Sequence, residues 1–245
     1  MAEIKNQNFN HLKIHSQYSI CEGAIKIDDL KNFSKENKIK SLALCDTSNL
    51  CGALEFAEKI SKAGTQPIIG TQIKFKYEDT IGLLPLFALN KEGYKKIIEL
   101  SSLSYLENDE LSDPHLDIIK LLKKNDDVAI FSGSINGLFG QLFDKGKFNE
   151  IKDLYSKLKN NFKDRFYIEI QRHGDQNEVG FEKFNLSKSI ELEIPLIATN
   201  EVFYLSKDLY EAHDALVCIK NKTYVNEKNR VKFTDQHYFK NNNEM

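Results

Sequence analysis

The sequence Asn10-His-Leu-Lys-Ile-His-Ser-Gln-Tyr-Ser19 predicts a short β-strand that ends in a polar loop. Side chains at every second position of a strand share one face, so His11, Lys13 and His15 are expected to point the same way. Glu22 and Gly23 follow in the predicted loop. Two histidines and a carboxylate at a strand end are the beginning of a metal site, whereas a lysine between them places a cation where a cation would bind. The stretch is therefore either a working metal site or the remains of one.

The composition favours a cytoplasmic protein with a substantial core. The chain has 245 residues, of which 41% are hydrophobic, and its formal net charge of -2 at pH 7 disfavours a free-standing nucleic-acid binder. No apolar run approaches the roughly 18 residues of a membrane span, and we find no secretory leader. No two cysteines form a Cys-x-x-Cys pair, so we expect free thiols, a reducing cytoplasm and no membrane partner. The cysteines are Cys21, Cys45, Cys51 and Cys218.

Short apolar runs alternate with longer amphipathic segments along the chain. Strands are predicted at 9–15, 41–45, 68–75, 82–89, 128–131, 166–171 and 195–199. Helices are predicted at 26–36, 50–63, 91–105, 114–124, 148–160, 178–191 and 207–220. A strand followed by a helix about seven times predicts a parallel α/β protein, either a barrel or an open doubly wound sheet. No glycine-rich phosphate loop follows the first strand, so we favour a seven-stranded (β/α) barrel of the triosephosphate-isomerase type over residues 1–220, although eight units would be usual.

Local signals set the predicted boundaries. Ser48 and Asn49 are good N-caps for the helix at 50–63, and Asp113 with Pro114 is a typical start for the helix at 114–124. The polar segment 221–245 departs from the βα pattern and ends without a capping element. We interpret it as an extension beyond the barrel that leads toward the rest of a longer chain.

Polar residues follow almost every predicted strand, and in a parallel barrel these strand ends form one rim. They are His15, Asp46, Gln72, Ser132, Ser134, Gln171, Arg172, His173, Asn200 and Glu201. Several have structural alternatives: His15 could bond a loop backbone, Asp46 could cap the next helix, and His173 could be a turn residue. Glu22 is typical of a turn, and His213 is interpreted as a packing or surface residue. We find no nucleophile elbow, Walker loop or His-Glu-x-x-His helix.

Ordered motifs along the chain resemble the PHP (polymerase and histidinol phosphatase) domain of bacterial replicative DNA polymerase III alpha subunits. The opening motif is His11-Leu-Lys-Ile-His-Ser-Gln-Tyr-Ser19 followed by Glu22-Gly23. Further matches are Leu42-Ala-Leu-Cys-Asp-Thr-Ser-Asn-Leu50, Pro67-Ile-Ile-Gly70, Ala88-Leu-Asn-Lys-Glu-Gly-Tyr94, Tyr167-Ile-Glu-Ile-Gln171, Ala198-Thr-Asn-Glu201 and Glu211-Ala-His-Asp214. The resemblance implies a distorted seven-stranded βα barrel, in agreement with the pattern of strands and helices.

The resemblance also implies how much of the family's metal site remains. Members with an intact site hold up to three metal ions, largely with histidines and carboxylates. The positions kept here are His15, Glu22, Asp46 and Glu201. The positions lost are Lys13, Thr47, Gln72 and Phe203, and a further histidine position falls near Leu83. We therefore expect no catalytic residue and no metal of high occupancy. Lys13 is hypothesised to replace the metal charge near Glu22 and Glu201.

The resemblance implies the N-terminal domain of a DNA polymerase, with a structural role of its own. Templated DNA synthesis with magnesium and deoxynucleotides would belong to the polymerase core of the same chain, and no cofactor is expected in this part. The implied partners are that core, the proofreading exonuclease subunit, and DNA reached through the parent polymerase. One alternative is an active metal-dependent phosphoesterase or proofreading exonuclease that uses His15, Glu22, Asp46 and Glu201. A second alternative is a stand-alone barrel protein.

Overall fold

The computed structural model describes residues 9–109, 112–123 and 126–245. The strands are β1 (Lys13–Ile14), β2 (Ser41–Thr47), β3 (Gln66–Tyr77), β4 (Thr80–Ala88), β5 (Leu116–Asp117), β6 (Val128–Phe131), β7 (Phe166–Ile170), β8 (Leu196–Ala198) and β9 (Glu201–Val202). The helices are α1 (Ile27–Glu36), α2 (Ala53–Lys62), α3 (Lys91–Leu106), α4 (Ile118–Lys123), α5 (Leu138–Asp144), α6 (Phe148–Phe162), α7 (Gln176–Leu192) and α8 (Tyr210–Lys220). Short 3-10 turns precede β7 (Lys163–Arg165) and α8 (Lys207–Leu209).

The strands form one curled mixed sheet, a half-barrel with the order β8-β7-β6-β4-β3-β2-β1-β9, and β5 pairs with β3. The all-parallel barrel predicted from the βα pattern is wrong at one strand, because β4 runs antiparallel to both β3 and β6. Only Glu78 and Asp79 separate β3 from β4. A connection of two residues forms a hairpin, whereas a parallel crossover needs a dozen residues or more.

The two ends of the strand order are neighbours in the chain. Only Thr199 and Asn200 separate β8 from β9. The first part of this segment pairs with β7, where Leu196 lies opposite Ile168, and the last part pairs with β1, where Glu201 lies opposite Lys13. The predicted strand at 195–199 therefore continues as a second short strand that the sequence did not reveal. This continuation brings Glu201 beside Lys13.

The sheet has an outer face covered by helices and an inner face that is partly polar. Leu42 and Leu44 of β2 belong to a buried cluster with residues of α1 and α2. Ala43 and Cys45 alternate with them and pack toward the inner face, in a cluster that also contains Phe87 and Phe131. Because β1 lies between β2 and β9, Lys13 reaches the same interior as Cys45.

The prediction that Ser48 and Asn49 cap the helix at 50–63 is wrong, because α2 begins after Gly52 and has no side-chain cap. Asn90 accepts hydrogen bonds from the backbone N–H groups of Glu92 and Gly93 at the start of α3. The predicted helix at 114–124 is wrong at its start, because residues 116–117 form β5 and α4 begins at Ile118. Asp117, and not Asp113, accepts a bond from a helical N–H, at Ile119. Residue 124 lies outside the described part of the chain, and α5 was not predicted.

The C-terminal segment 221–245 lies against the domain. The backbone N–H of Phe203 donates to the carbonyl of His237, and that of Phe239 donates to Tyr204. Arg230 donates to both carboxylate oxygens of Asp214 on α8, at 2.6 Å each. Whether this segment leads toward another domain stays a prediction.

Two expectations from the composition concern membranes and thiols. In the described ranges, no helix is both long and apolar enough to cross a membrane. The cysteines are free thiols, of which Cys45 and Cys218 are buried and Cys51 is exposed.

We infer that the ion pair between Arg230 and Asp214 anchors the C-terminal segment to α8. Its side chains are only 5% and 8% exposed, and Arg230 also donates to the carbonyl of Val225. We expect Arg230→Met to make limited proteolysis within 221–235 several-fold faster, because Asp214 loses its partner and the segment loses its anchor. Arg172→Met is the matched control, since Arg172 also pairs with a carboxylate through two bonds but is 78% exposed. Equal proteolysis of both variants would contradict the anchoring role.

Candidate functional site

Lys13 is the centre of a buried ion cluster on the inner face of the sheet. The side chain is fully enclosed. Its Nζ lies 3.1 Å from Glu201 Oε1 and 3.6 Å from Glu169 Oε1, in ion-pair contact without a well-directed hydrogen bond. The three residues come from β1, β7 and β9, so one ammonium group links three strands. Lys13 pointing into the polar interior agrees with its predicted orientation, although Glu169 was not among the predicted site residues.

Glu169 is held on one side by neutral donors. Thr199 Oγ1 donates to Glu169 Oε1, and Gln171 Nε2 donates to the same oxygen over 2.8 Å. The other oxygen, Glu169 Oε2, is buried without a hydrogen-bond partner among the described residues. A carboxylate in this position depends on nearby positive charge, because a buried charge without compensation costs several kcal/mol. Lys13 supplies that charge.

The electrostatics of the cluster favour the ionised forms. Burial alone lowers the pKa of Lys13, but the carboxylates of Glu169 and Glu201 outweigh burial and hold the pKa above its ordinary value. Burial alone raises the pKa of Glu201, but Lys13 and His15 hold it well below its usual range. His15 Nε2 lies 3.2 Å from Glu201 Oε1. Lys13 is therefore an ammonium and Glu201 a carboxylate at neutral pH.

Asp46 is used to fix the loop after β1. Its Oδ1 accepts bonds from Ser16 N and Ser19 Oγ, both over 2.7 Å, and its Oδ2 accepts from Ser16 Oγ over 2.8 Å. The alternative interpretation, that Asp46 caps the next helix, is wrong, because α2 begins only after Gly52 and has no side-chain cap. The carboxylate at this rim position is thus engaged by a loop that carries three donors.

Glu22 lies near the rim but pairs outside the interior cluster. Its Oε1 accepts a bond of 2.5 Å from Lys220, and its backbone carbonyl accepts one from His213 Nε2. Burial raises the pKa of Glu22, but His15 and Lys220 outweigh burial and lower it. The hypothesis that Lys13 compensates Glu22 is not supported by these contacts, since Lys13 contacts Glu169 instead. His213 is buried, which agrees with its interpretation as a packing residue and not as a surface residue.

The positions interpreted as lost metal ligands are occupied by side chains that form hydrogen bonds or pack in the interior. Gln72 Nε2 donates to Thr47 Oγ1 over 3.0 Å. Phe203 lies in an aromatic cluster, with ring centroids 4.8 Å from His15, 5.3 Å from His213 and 5.2 Å from Phe233. Leu83 pairs with Lys74 in the β3–β4 hairpin, beyond the level of Gln72. An amide, a hydroxyl and a phenyl ring thus occupy the positions that the resemblance implies as lost ligands.

Two histidines from separate segments of the chain stack at the rim. The rings of His173 and His237 are parallel, with centroids 4.0 Å apart. His173 Nε2 accepts from the backbone N–H of Glu201, and its Nδ1 donates to Glu178. His173 is therefore a buried, bonded residue and not simply a turn residue. Burial and the neighbouring His173 lower the pKa of His237 to about 3, so His237 is neutral at physiological pH. Nothing in the sequence around 237 had indicated a rim residue.

The donor set does not fit the family's metal centre. Within the described ranges, no three His, Cys, Asp or Glu side chains gather so that they could hold a metal ion. Of the four positions kept from the family pattern, Asp46 is bound by the loop, Glu22 pairs with Lys220, and His15 and Glu201 contact each other. Lys13 also brings a positive charge within 3.1 Å of Glu201. Several closely spaced cations need more anionic and neutral donors than these.

Comparisons with known proteins point to one family. The chain matches the PHP domain family over residues 11–173. It is 35% identical over 258 residues to a DNA polymerase III subunit alpha of Caulobacter vibrioides, covering 100% of this chain and 22% of that protein. It is 34% identical over 249 residues to a DNA polymerase III subunit alpha of Borreliella burgdorferi, covering 97% of this chain and 22% of that protein. The chain therefore spans about a fifth of the length of these curated relatives.

Among solved structures, an amidohydrolase of Chromobacterium violaceum is similar to this chain. The TM-score is 0.37 at 12% sequence identity, and the match covers 94% of this chain and 87% of that chain.

The ion cluster predicts a large and pH-dependent effect of Lys13→Met. The variant leaves Glu169 and Glu201 buried without their ammonium partner, so we expect the free energy of unfolding to fall by about 3–5 kcal/mol at neutral pH. In the variant, burial is no longer opposed by Lys13 and raises the pKa of Glu201, so stability falls as pH rises above about 4.5. In the wild type, the lowered pKa of Glu201 makes stability fall as pH drops below about 4.5. The loss is therefore expected to be larger at pH 8 than at pH 5.

Urea denaturation at both pH values measures this difference. Lys74→Met is the matched control, because Lys74 forms an ion pair of 2.8 Å with Asp113 whose carboxylate side chain is 80% exposed. We expect the control to lose less than about 1 kcal/mol at either pH. A Lys13→Met variant as stable as the wild type would contradict the role of the cluster.

Proposed function

The chain belongs to the PHP domain family, and we propose that it is the metal-poor, structural PHP domain of a DNA polymerase III alpha subunit. Its curated relatives at 34–35% identity are alpha subunits of that polymerase, and the likeness extends over at least 97% of the chain. In this proposal the parent chain carries out templated DNA synthesis with deoxynucleotides and magnesium, through carboxylates outside residues 1–245. DNA reaches the domain through the polymerase core, and the protein works in the cytoplasm.

The observation that carries the structural role is the Lys13 ammonium between Glu169 and Glu201. A side-chain cation at this position balances the interior carboxylates without a metal ion. The aromatic contacts of Phe203 and the Gln72–Thr47 hydrogen bond support the same interpretation, because they fill the rim with groups that do not activate water. In the intact site, metal ions would supply Lewis-acid chemistry and a bound nucleophile. These residues supply packing and charge balance instead.

The alternative function, a metal-dependent phosphoesterase or proofreading exonuclease, would need His15, Glu22, Asp46 and Glu201 to act together. Asp46 already accepts three hydrogen bonds from the loop at 16–19, and Glu22 pairs with Lys220. His15 and Glu201 contact each other, and Glu201 also contacts Lys13. We therefore favour the structural role, in which the domain packs on the polymerase core of the same chain and offers a docking surface.

We propose that the docked partner is the separate proofreading exonuclease subunit, as the resemblance to the family implies. Titration of the purified chain with that subunit from the same organism, followed by gel filtration, is expected to give a complex of defined stoichiometry. Because the proposed contact needs no metal in this domain, EDTA added after the chain has been mixed with a metal-free exonuclease preparation should leave the complex intact. Separate elution of the two proteins, or a complex that EDTA dissociates, would contradict the proposal.

A further inference from the structure

A small cavity of about 190 Å³ lies at the rim, apart from the enclosed Lys13 cluster. Three parts of the chain line it: the loop after β6, the region from the end of β7 into α7, and the C-terminal segment. Glu201 belongs to both the ion cluster and the cavity. Its Oε1 contacts Lys13, and the residue also lines the cavity. Cavities for drug-sized ligands are typically 300–1,000 Å³, so this one fits a single small polar group.

Two lining residues have an acceptor oxygen that the domain leaves without a partner. Gln171 Nε2 donates to Glu169 and Thr199, which leaves its Oε1 free. Glu201 Oε1 contacts Lys13 and His15, and its Oε2 accepts no hydrogen bond from the residues that the structure describes. Both residues are only 8% exposed. Neither oxygen is among the fully enclosed atoms without a partner, so both stay accessible to a donor that enters the cavity.

A third acceptor comes from the C-terminal segment. His237 Nδ1 contacts the carbonyl of Glu201 over 3.1 Å, and because a carbonyl only accepts, Nδ1 carries the proton. The lone pair is therefore on Nε2, which has no hydrogen-bond partner in the described part of the chain. His237 is 6% exposed and lines the same cavity. Three acceptors from three different segments thus surround one space.

The charges around the cavity favour a cation. Asp175, Glu178 and Glu201 line it, whereas Lys232 is the one lysine or arginine among the described lining residues. Lys13, 3.1 Å from Glu201 Oε1, offsets a second of the three negative charges, so one is left over. A divalent metal is disfavoured, because the described residues bring no three metal-binding side chains together. A guanidinium group is planar, always charged and has five N–H donors, so it can donate to several acceptors at once.

We propose that this cavity binds a guanidinium group, either of a small free molecule or at the tip of an arginine side chain. Gln171 Oε1, Glu201 Oε2 and His237 Nε2 accept its hydrogen bonds, and Asp175 adds negative charge. The site goes beyond the proposed structural role of the domain, and the two share Glu201. Binding would fasten the C-terminal segment to the rim, because His237 belongs to that segment and the other two acceptors belong to the sheet region.

Titration of the ¹⁵N-labelled chain with methylguanidinium, monitored by backbone amide signals near 171, 201 and 237, tests the proposal. We expect saturable shifts, whereas tetramethylammonium at equal ionic strength produces none because it has no N–H donor. A second arm uses the peptide acetyl-Gly-Arg-Gly-amide. Saturable binding of the peptide shows that the site accepts chain-borne arginine, and binding of methylguanidinium alone shows that it accepts only free cations. Equal shifts with methylguanidinium and tetramethylammonium would overturn the proposal.

Two variants assign the binding to this cavity. Asp175→Asn removes a charge but retains the oxygen that accepts from Asn177 N at the start of α7, so we expect binding about fivefold weaker. Asp117→Asn is the matched control, since Asp117 accepts from Ile119 N in the same way but does not line the cavity. His237→Phe keeps a ring against His173 and removes the Nε2 acceptor, and should abolish saturation in a folded chain. Equal weakening by Asp117→Asn and Asp175→Asn, or unchanged binding in His237→Phe, would overturn the assignment.

Discussion

One ammonium group between two carboxylates organises the interior of this domain. Lys13 lies on a strand of only two residues, yet it connects that strand with Glu169 on β7 and Glu201 on β9. Surface ion pairs contribute about 0–1 kcal/mol, whereas an enclosed carboxylate that loses its partner costs about 3–5 kcal/mol. The cluster is therefore a constraint on where β1, β7 and β9 can lie. It also sets the charge of the interior of the sheet.

The surroundings of the cluster are consistent with that constraint. Asp46 organises the loop after β1, Glu22 pairs with α8, and Phe203 packs with His15, His213 and Phe233. The C-terminal segment adds His237 and covers part of the rim, and Arg230 ties this segment to α8. Groups that could have bound cations are thus committed to loops, helices and the C-terminal segment. In the proposed structural role, loss of metal binding and gain of internal contacts are two consequences of the same set of residues.

The sequence predicted every described helix except α5, and most strands, because their apolar periodicity is local. It did not reveal that β4 is antiparallel, since a buried strand is apolar in either direction and only the two-residue connection distinguishes them. It predicted His15, Lys13 and Glu201 at one rim, and in the structure both His15 and Lys13 contact Glu201. It missed Glu169, although an acidic residue within the apolar strand Phe166–Ile170 was an available signal. It could not have placed His237, because the contact with Glu201 spans 36 residues and depends on how the C-terminal segment folds back.

The charge balance by Lys13 is tested most directly by metal stoichiometry. The purified chain would be incubated with excess Zn²⁺ or Mn²⁺, freed of unbound metal by gel filtration, and measured by elemental analysis beside Glu201→Gln. If the ammonium occupies the position of the metal charge, both proteins should retain well below one ion per chain. Retention of one or more ions by the wild type, lost in Glu201→Gln, would contradict the account.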